Sequence, residues 1–143
     1  MRSGARIGAG ALGAALAASL LLGACGDDDD GADAGGASTS IDVEATEFQF
    51  DPDSWTVPAG EEFTVEFVNG GGTQHEWAVI KRGEDIESEA DFEEDKVEFE
   101  IEATPAGESV TEAFTLEEAG THQVICALPG HFDAGMEATL VVE

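Results

Sequence analysis

Basic residues are scarce in this chain of 143 residues, which has 5 Lys+Arg against 32 Asp+Glu and a formal net charge of -27. Nucleic-acid binding requires a basic surface, so this charge excludes that class of function. An acidic surface instead favours solubility and cationic partners. Tyrosine is absent, and histidine, cysteine and methionine occur only 3, 2 and 2 times. A cluster of these three scarce residue types is therefore informative.

Two cysteines in an exported protein can form one disulfide, but the contexts of Cys25 and Cys126 favour two separate roles. The N-terminus has two arginines followed by an uncharged Ala/Gly/Leu stretch, which is typical of an export signal. The segment Leu22-Gly23-Ala24-Cys25 resembles the lipobox of bacterial and archaeal lipoproteins. That resemblance implies a signal peptide in residues 1–24, cut before a cysteine that carries a diacylglyceryl group.

An uncleaved membrane anchor is the alternative for the N-terminus, because the uncharged stretch approaches the roughly 20 residues that span a bilayer. Either form places the rest of the chain on the extracytoplasmic face of the cell membrane, at the cell surface or in a periplasm. Residues 25–40 contain four consecutive aspartates and many small residues. This composition predicts a flexible, self-repelling linker with a reach of roughly 20 Å, and not a metal site.

Residues 41–143 have the alternating hydrophobic pattern of an all-β domain. Apolar and polar residues alternate most cleanly in 97–103, and turns rich in Gly and Pro separate the alternating runs. Short strands with evenly placed turns predict an antiparallel β-sandwich or barrel with a single core, which we expect to be monomeric.

Two stretches interrupt the regular alternation. The apolar positions change parity before Phe48 and Phe50, which predicts a β-bulge near Thr46–Glu47. Residues 81–95 are acidic and only weakly helical in pattern, so we expect an exposed loop with a short helix there.

One loop near the C-terminus gathers the scarce residue types. Cys126, His131 and Met136 lie within eleven residues, and we name residues 126–136 the ligand loop. Thiolate and thioether sulfur with imidazole nitrogen is the ligand mix that suits copper cycling between Cu(II) and Cu(I). Type 1 copper sites need one thiolate, two imidazoles and often a weak axial thioether, so a second histidine must come from elsewhere.

His75 fits the role of the second imidazole, because it follows the glycine-rich turn 69–72 and precedes the apolar run 77–80. The hypothesis requires this junction to lie at the same end of the sandwich as the ligand loop. Zinc is the alternative metal for one cysteine and two histidines, but the thioether favours copper.

These segments resemble the cupredoxins, the small blue copper proteins that include plastocyanin, azurin and rusticyanin. Residues 116–126 resemble the family's strand that enters the copper loop, and the run Cys126-Ala127-Leu128-Pro129-Gly130-His131 before Gly135-Met136 is closest to rusticyanin-like members. The resemblance covers roughly residues 41–143 and implies a Greek-key β-sandwich. It also implies one type 1 copper ion, with the equatorial ligands His75, Cys126 and His131 and the axial ligand Met136.

Two positions depart from the family pattern. Glu76 follows the first histidine ligand, where the family often has asparagine, and His122 lies where tyrosine is common. An ionised carboxylate at residue 76 would stabilise Cu(II) and lower the reduction potential, since groups near a metal tune it in this way. We interpret His122 as a packing residue.

The resemblance implies single-electron transfer between larger redox proteins. Together with the lipid anchor that the lipobox implies, it makes cytochromes or membrane oxidases the expected partners. Electrons would pass through the edge of His131, within an apolar patch formed by Leu128, Pro129, Phe132 and Ala134, or along the strand that ends at Cys126. A copper carrier or storage protein is the alternative. We do not expect an enzyme, because four protein ligands leave no open position for a substrate and only His122 remains for a second copper site.

Overall fold

A computed structural model describes residues 36–143; the expected signal peptide, Cys25 and the four aspartates lie outside the described residues. Within the described range, nine strands form two sheets, and two short 3-10 turns are the only helical elements. The strands, in chain order, are β1 (Ser40–Thr46), β2 (Gln49–Asp51), β3 (Ser54–Val57), β4 (Glu62–Asn69), β5 (His75–Ile80), β6 (Val97–Thr104), β7 (Ser109–Thr115), β8 (Gly120–Ile125) and β9 (Glu137–Val142). Between residues 36 and 143, no helix has the length and apolar character needed to cross a membrane.

The prediction of an all-β sandwich is confirmed, but its strands are not all antiparallel. One sheet has the order β2-β1-β4-β7 and the other the order β3-β9-β8-β5-β6. Strands β1 and β4 pair in parallel, as do β3 and β9. The chain crosses to the second sheet at β3 and returns at β4, so β4 runs beside β1 in the same direction. Such a crossover is what a parallel pair requires.

Alternation along the strands decides which side chains form the core between the sheets. In β4, Phe63, Val65 and Phe67 are all fully buried, whereas the residues between them are partly or fully exposed. Burial of each such side chain contributes about 1.5–3 kcal/mol. The predicted ligands Cys126 and Met136 belong to the same hydrophobic cluster. The core therefore extends directly to the ligand loop.

The parity change near residue 47 is a hairpin turn, so the predicted bulge is wrong. Strands β1 and β2 pair antiparallel with Thr46 opposite Gln49, which leaves Glu47 and Phe48 as the turn. A two-residue turn reverses the chain and shifts the buried face from odd to even positions, as a bulge would. Phe48 itself is 40% exposed and lies outside the core.

The acidic connection between β5 and β6 is mostly exposed, as expected, but it contains two 3-10 turns, Glu89–Asp91 and Glu94–Lys96. Ile86 is buried in a second hydrophobic cluster that includes Ile125, with Phe132 packed against it. The Gly130 N–H donates to Glu89 Oε1 at 2.5 Å. This connection therefore packs against the ligand loop.

Candidate metal centre

Three of the predicted site residues meet at one end of the sandwich. One ligand atom each from His75, Cys126 and His131 lie within 4.8 Å of one another. Strands β5 and β8 are antiparallel neighbours with Ala78 opposite Ile125, so the start of β5 and the end of β8 lie at the same end of the sheet. The pairing of these two strands therefore places His75 at the same end of the sandwich as the ligand loop, as the hypothesis required.

Cys126 is fully buried, and its Sγ lies 3.3 Å from His131 Nδ1. The backbone N–H of Glu76 donates toward the same sulfur at 3.5 Å. Burial raises the pKa of the Cys126 thiol to about 11. Burial thus disfavours a free thiolate at this position. A bound metal cation would neutralise the thiolate charge and displace the proton.

His75 is fully buried, and neither of its ring nitrogens has a hydrogen-bond partner among residues 36–143. Burial, with a smaller effect of His131, lowers the pKa of His75, which favours the neutral imidazole that metals bind. An unpaired buried polar group costs about 1–3 kcal/mol. A copper ion at one nitrogen would offset part of this cost, so the donor set fits the metal.

Backbone hydrogen bonds close the ligand loop around Met136. The Cys126 N–H donates to the Met136 carbonyl at 3.2 Å, and the Met136 N–H donates to the His131 carbonyl at 3.1 Å. Met136 is fully buried in the same cluster as Cys126. The loop therefore holds its sulfur, imidazole and thioether residues in one compact unit.

Asn69 holds the turn that leads into His75, a role that sequence reasoning missed. Its side-chain amide donates to the carbonyls of Thr73 and Thr104, both at 2.8 Å, and its Oδ1 accepts from the Gly71 N–H at 2.9 Å. An asparagine directly before three glycines was the available signal, because asparagine side chains commonly bond turn backbone.

His131 is 9% exposed and contacts a residue that the expected patch did not include. The rings of Phe48 and His131 are 5.0 Å apart in an edge-on arrangement. Within the expected patch, Pro129 and Ala134 are exposed, whereas Leu128 and Phe132 are half-buried and pack against the hydrophobic clusters.

The two departures from the family pattern have different surroundings. Glu76 is half-buried, and burial raises the pKa of its carboxyl, which opposes the ionised form that would lower the potential. His122 is 4% exposed, and its Nδ1–H donates to the Ile80 carbonyl at 2.8 Å. These contacts agree with a packing role for His122.

Known proteins resemble this chain in sequence and fold. A family described as copper binding proteins, plastocyanin/azurin family, matches residues 37–143. Auracyanin-A of Chloroflexus aurantiacus is 30% identical over 123 residues, covering 76% of this chain and 75% of auracyanin-A. The solved structure of auracyanin A, described as a blue copper protein, matches with a TM-score of 0.62 and 30% identity, covering 76% of this chain and 100% of that one.

Two further relatives are longer than the matched region. Auracyanin-B of Chloroflexus aurantiacus is 32% identical over 105 residues, which is 62% of this chain and 45% of auracyanin-B. The copper-resistant cuproprotein CopI of Rubrivivax gelatinosus is 37% identical over 103 residues, 66% of this chain and 59% of CopI. The chain thus spans about half the length of these two relatives. Because the family match covers well over half of it, the chain belongs to the plastocyanin/azurin family of copper-binding proteins, the cupredoxins, and its cofactor is one type 1 copper ion.

Proposed function

We propose that the protein carries single electrons between redox partners at the extracytoplasmic face of the cell membrane. His75, Cys126 and His131 are the equatorial copper ligands in this proposal, and Met136 is the axial ligand. The observation that supports it most directly is the buried His–Cys–His group, whose ligand atoms lie within 4.8 Å of one another. This donor set is the one that blue-copper electron-transfer sites use.

The rigidity of the site favours electron transfer. Copper bound here would alternate between Cu(II) and Cu(I). His75 is fixed by strand pairing, and the ligand loop is closed by its own backbone hydrogen bonds, so the ligands can keep one arrangement in both states. Four protein ligands leave no open position for a substrate, which argues against catalysis at this copper.

The edge of His131 offers an exit for the electron. Phe48, Pro129 and Ala134 are uncharged exposed residues beside it or on the ligand loop. A partner with an apolar contact face and a basic rim would complement this region of an acidic protein. Cytochromes and membrane oxidases are the partners we expect for a monomeric carrier. The proposed tether consists of lipidated Cys25 and the linker in residues 25–40, after removal of the signal peptide in residues 1–24.

A copper carrier or storage role is the second candidate, favoured by the similarity to CopI, a copper-resistant cuproprotein. Addition of Cu(II) to the purified protein separates the two. An intense visible thiolate-to-copper band with reversible one-electron cycling supports electron transfer. Tight Cu(I) binding without that band, together with ready transfer of copper to a chelator, supports a carrier.

The variant Cys126→Ser tests the ligand assignment in the same experiment. We expect it to lose the visible band even where copper still binds, because the band arises from the thiolate. A blue Cys126→Ser protein would show that the visible band does not arise from the Cys126 thiolate, and the proposed ligand set would be wrong.

A further inference from the structure

A carboxylate outside the proposed ligand set lies against His75. Glu47, in the turn between β1 and β2, places its Oε1 3.7 Å from His75 Nε2. The same oxygen accepts the N–H groups of Gly72 at 2.5 Å and Thr73 at 3.0 Å. Glu47 thus joins the β1–β2 hairpin to the backbone that leads into the first proposed copper ligand.

The glycine turn makes room for this carboxylate. A Cβ atom on Gly71 would lie 2.7 Å from Glu47 Oε1 and 2.9 Å from His75 Nε2, both closer than real Cβ contacts. Any side chain at residue 71 would therefore push the carboxylate away from the imidazole. The absence of a side chain there is what permits Glu47 and His75 to be neighbours.

Copper binding at His75 creates a need for a hydrogen-bond acceptor. A neutral histidine that gives one ring nitrogen to a metal keeps its hydrogen on the other. Nε2 is the nitrogen beside Glu47, which leaves Nδ1 for the metal. Nε2 is buried and has no partner within the described part of the chain. The present 3.7 Å separation is too long for a hydrogen bond, and an approach of less than about 1 Å would form one.

We propose that Glu47 is a positioning residue of the copper site, whose carboxylate accepts the Nε2–H of His75 in the copper-loaded protein. The bond would fix the orientation of the imidazole, as carboxylate partners of metal-bound histidines do. Its negative charge stabilises Cu(II) relative to Cu(I). The inference rests on the ligand set of the proposed function, with His75 as an equatorial ligand.

The test compares Glu47→Gln and Glu47→Ala with a matched control, Glu62→Gln, in the full-length protein loaded with copper. Glu62 is an exposed glutamate at the opposite end of β4 from Asn69, roughly 23 Å along the strand. Glu47→Gln removes the charge but keeps an acceptor oxygen, and Glu47→Ala removes both. Voltammetry measures the potential, and NMR of the diamagnetic Cu(I) protein measures hydrogen exchange at His75 Nε2.

We expect Glu47→Gln to lower the ratio of Cu(II) to Cu(I) affinity about tenfold, which raises the potential by about 59 mV for one electron. Glu62→Gln should shift the reduction potential much less. The Nε2–H of His75 should exchange slowly in the unsubstituted protein and rapidly in Glu47→Ala. Equal shifts for Glu47→Gln and Glu62→Gln in a blue protein would overturn this inference alone. An unsubstituted protein that binds copper without the blue band would refute the ligand set, and the inference with it.

Discussion

Removal of copper should make the stability of the domain depend on pH through Cys126. Burial raises the pKa of this thiol to about 11, from 9.0 for an unperturbed cysteine. The unfolded chain therefore loses its proton at lower pH than the folded domain does. The stability that the protonated Cys126 thiol contributes is fully present below pH 9 and is lost as the pH rises through 11. A shift of this size corresponds to about 3 kcal/mol, a large part of the roughly 5–15 kcal/mol that stabilises a typical domain.

Urea unfolding of the copper-free protein, with reductant and chelator present, measures this loss between pH 8 and 11.5. The control is copper-free Cys126→Ala, which lacks the thiol and should show no loss of this origin. The chain has no tyrosine, so no phenol titrates in the same range. The copper-loaded protein should also lack the loss, because its sulfur is already a thiolate. Parallel stability curves for copper-free wild type and Cys126→Ala would refute the reasoning.

Two further substitutions test the axial ligand and the core. Met136→Leu should keep the blue band and raise the reduction potential, because Cu(II) loses a sulfur donor; an unchanged potential in voltammetry would remove Met136 from the ligand set. Phe63→Ala should lower the free energy of unfolding by about 3–5 kcal/mol in urea titrations, because its fully buried ring packs against Phe99 and Phe114. The exposed Phe48→Ala is the matched control, and a similar loss in both variants would contradict the burial argument.

The site was more predictable from the sequence than the strand directions were. Cys126, His131 and Met136 stand out because their residue types are scarce, and His75 because it follows a glycine turn. Alternation identified the buried faces of the strands, since the side-chain period is the same whichever way a neighbouring strand runs. For that reason alternation could not reveal the parallel pairs β1–β4 and β3–β9.

The hairpin turn and Glu47 show a second limit. A bulge and a two-residue turn shift the apolar parity in the same way, so the pattern near Thr46 did not distinguish them. Glu47 is one of 32 acidic residues, and the irregularity predicted at its position gave no indication of a contact with His75. Its position beside His75 depends on pairing between segments that are distant along the chain. The lipidation of Cys25 is a property of residues that the structure does not describe, and it stays a prediction.

The arrangement of the donors bears on the choice between an electron carrier and a copper carrier. His75 begins β5, Cys126 directly follows the neighbouring strand β8, and the buried core continues to the ligand loop. A site held by strand pairing at His75 and by a hydrogen-bonded ligand loop cannot easily relax around a preferred Cu(I) or Cu(II) geometry, which keeps reorganisation small when an electron moves. A protein that must release copper would benefit from the opposite design, with ligands on a segment that opens. Within residues 36–143, neither ring nitrogen of His75 has a hydrogen-bond partner, which makes the metal-free site costly and argues for an electron carrier that retains its copper.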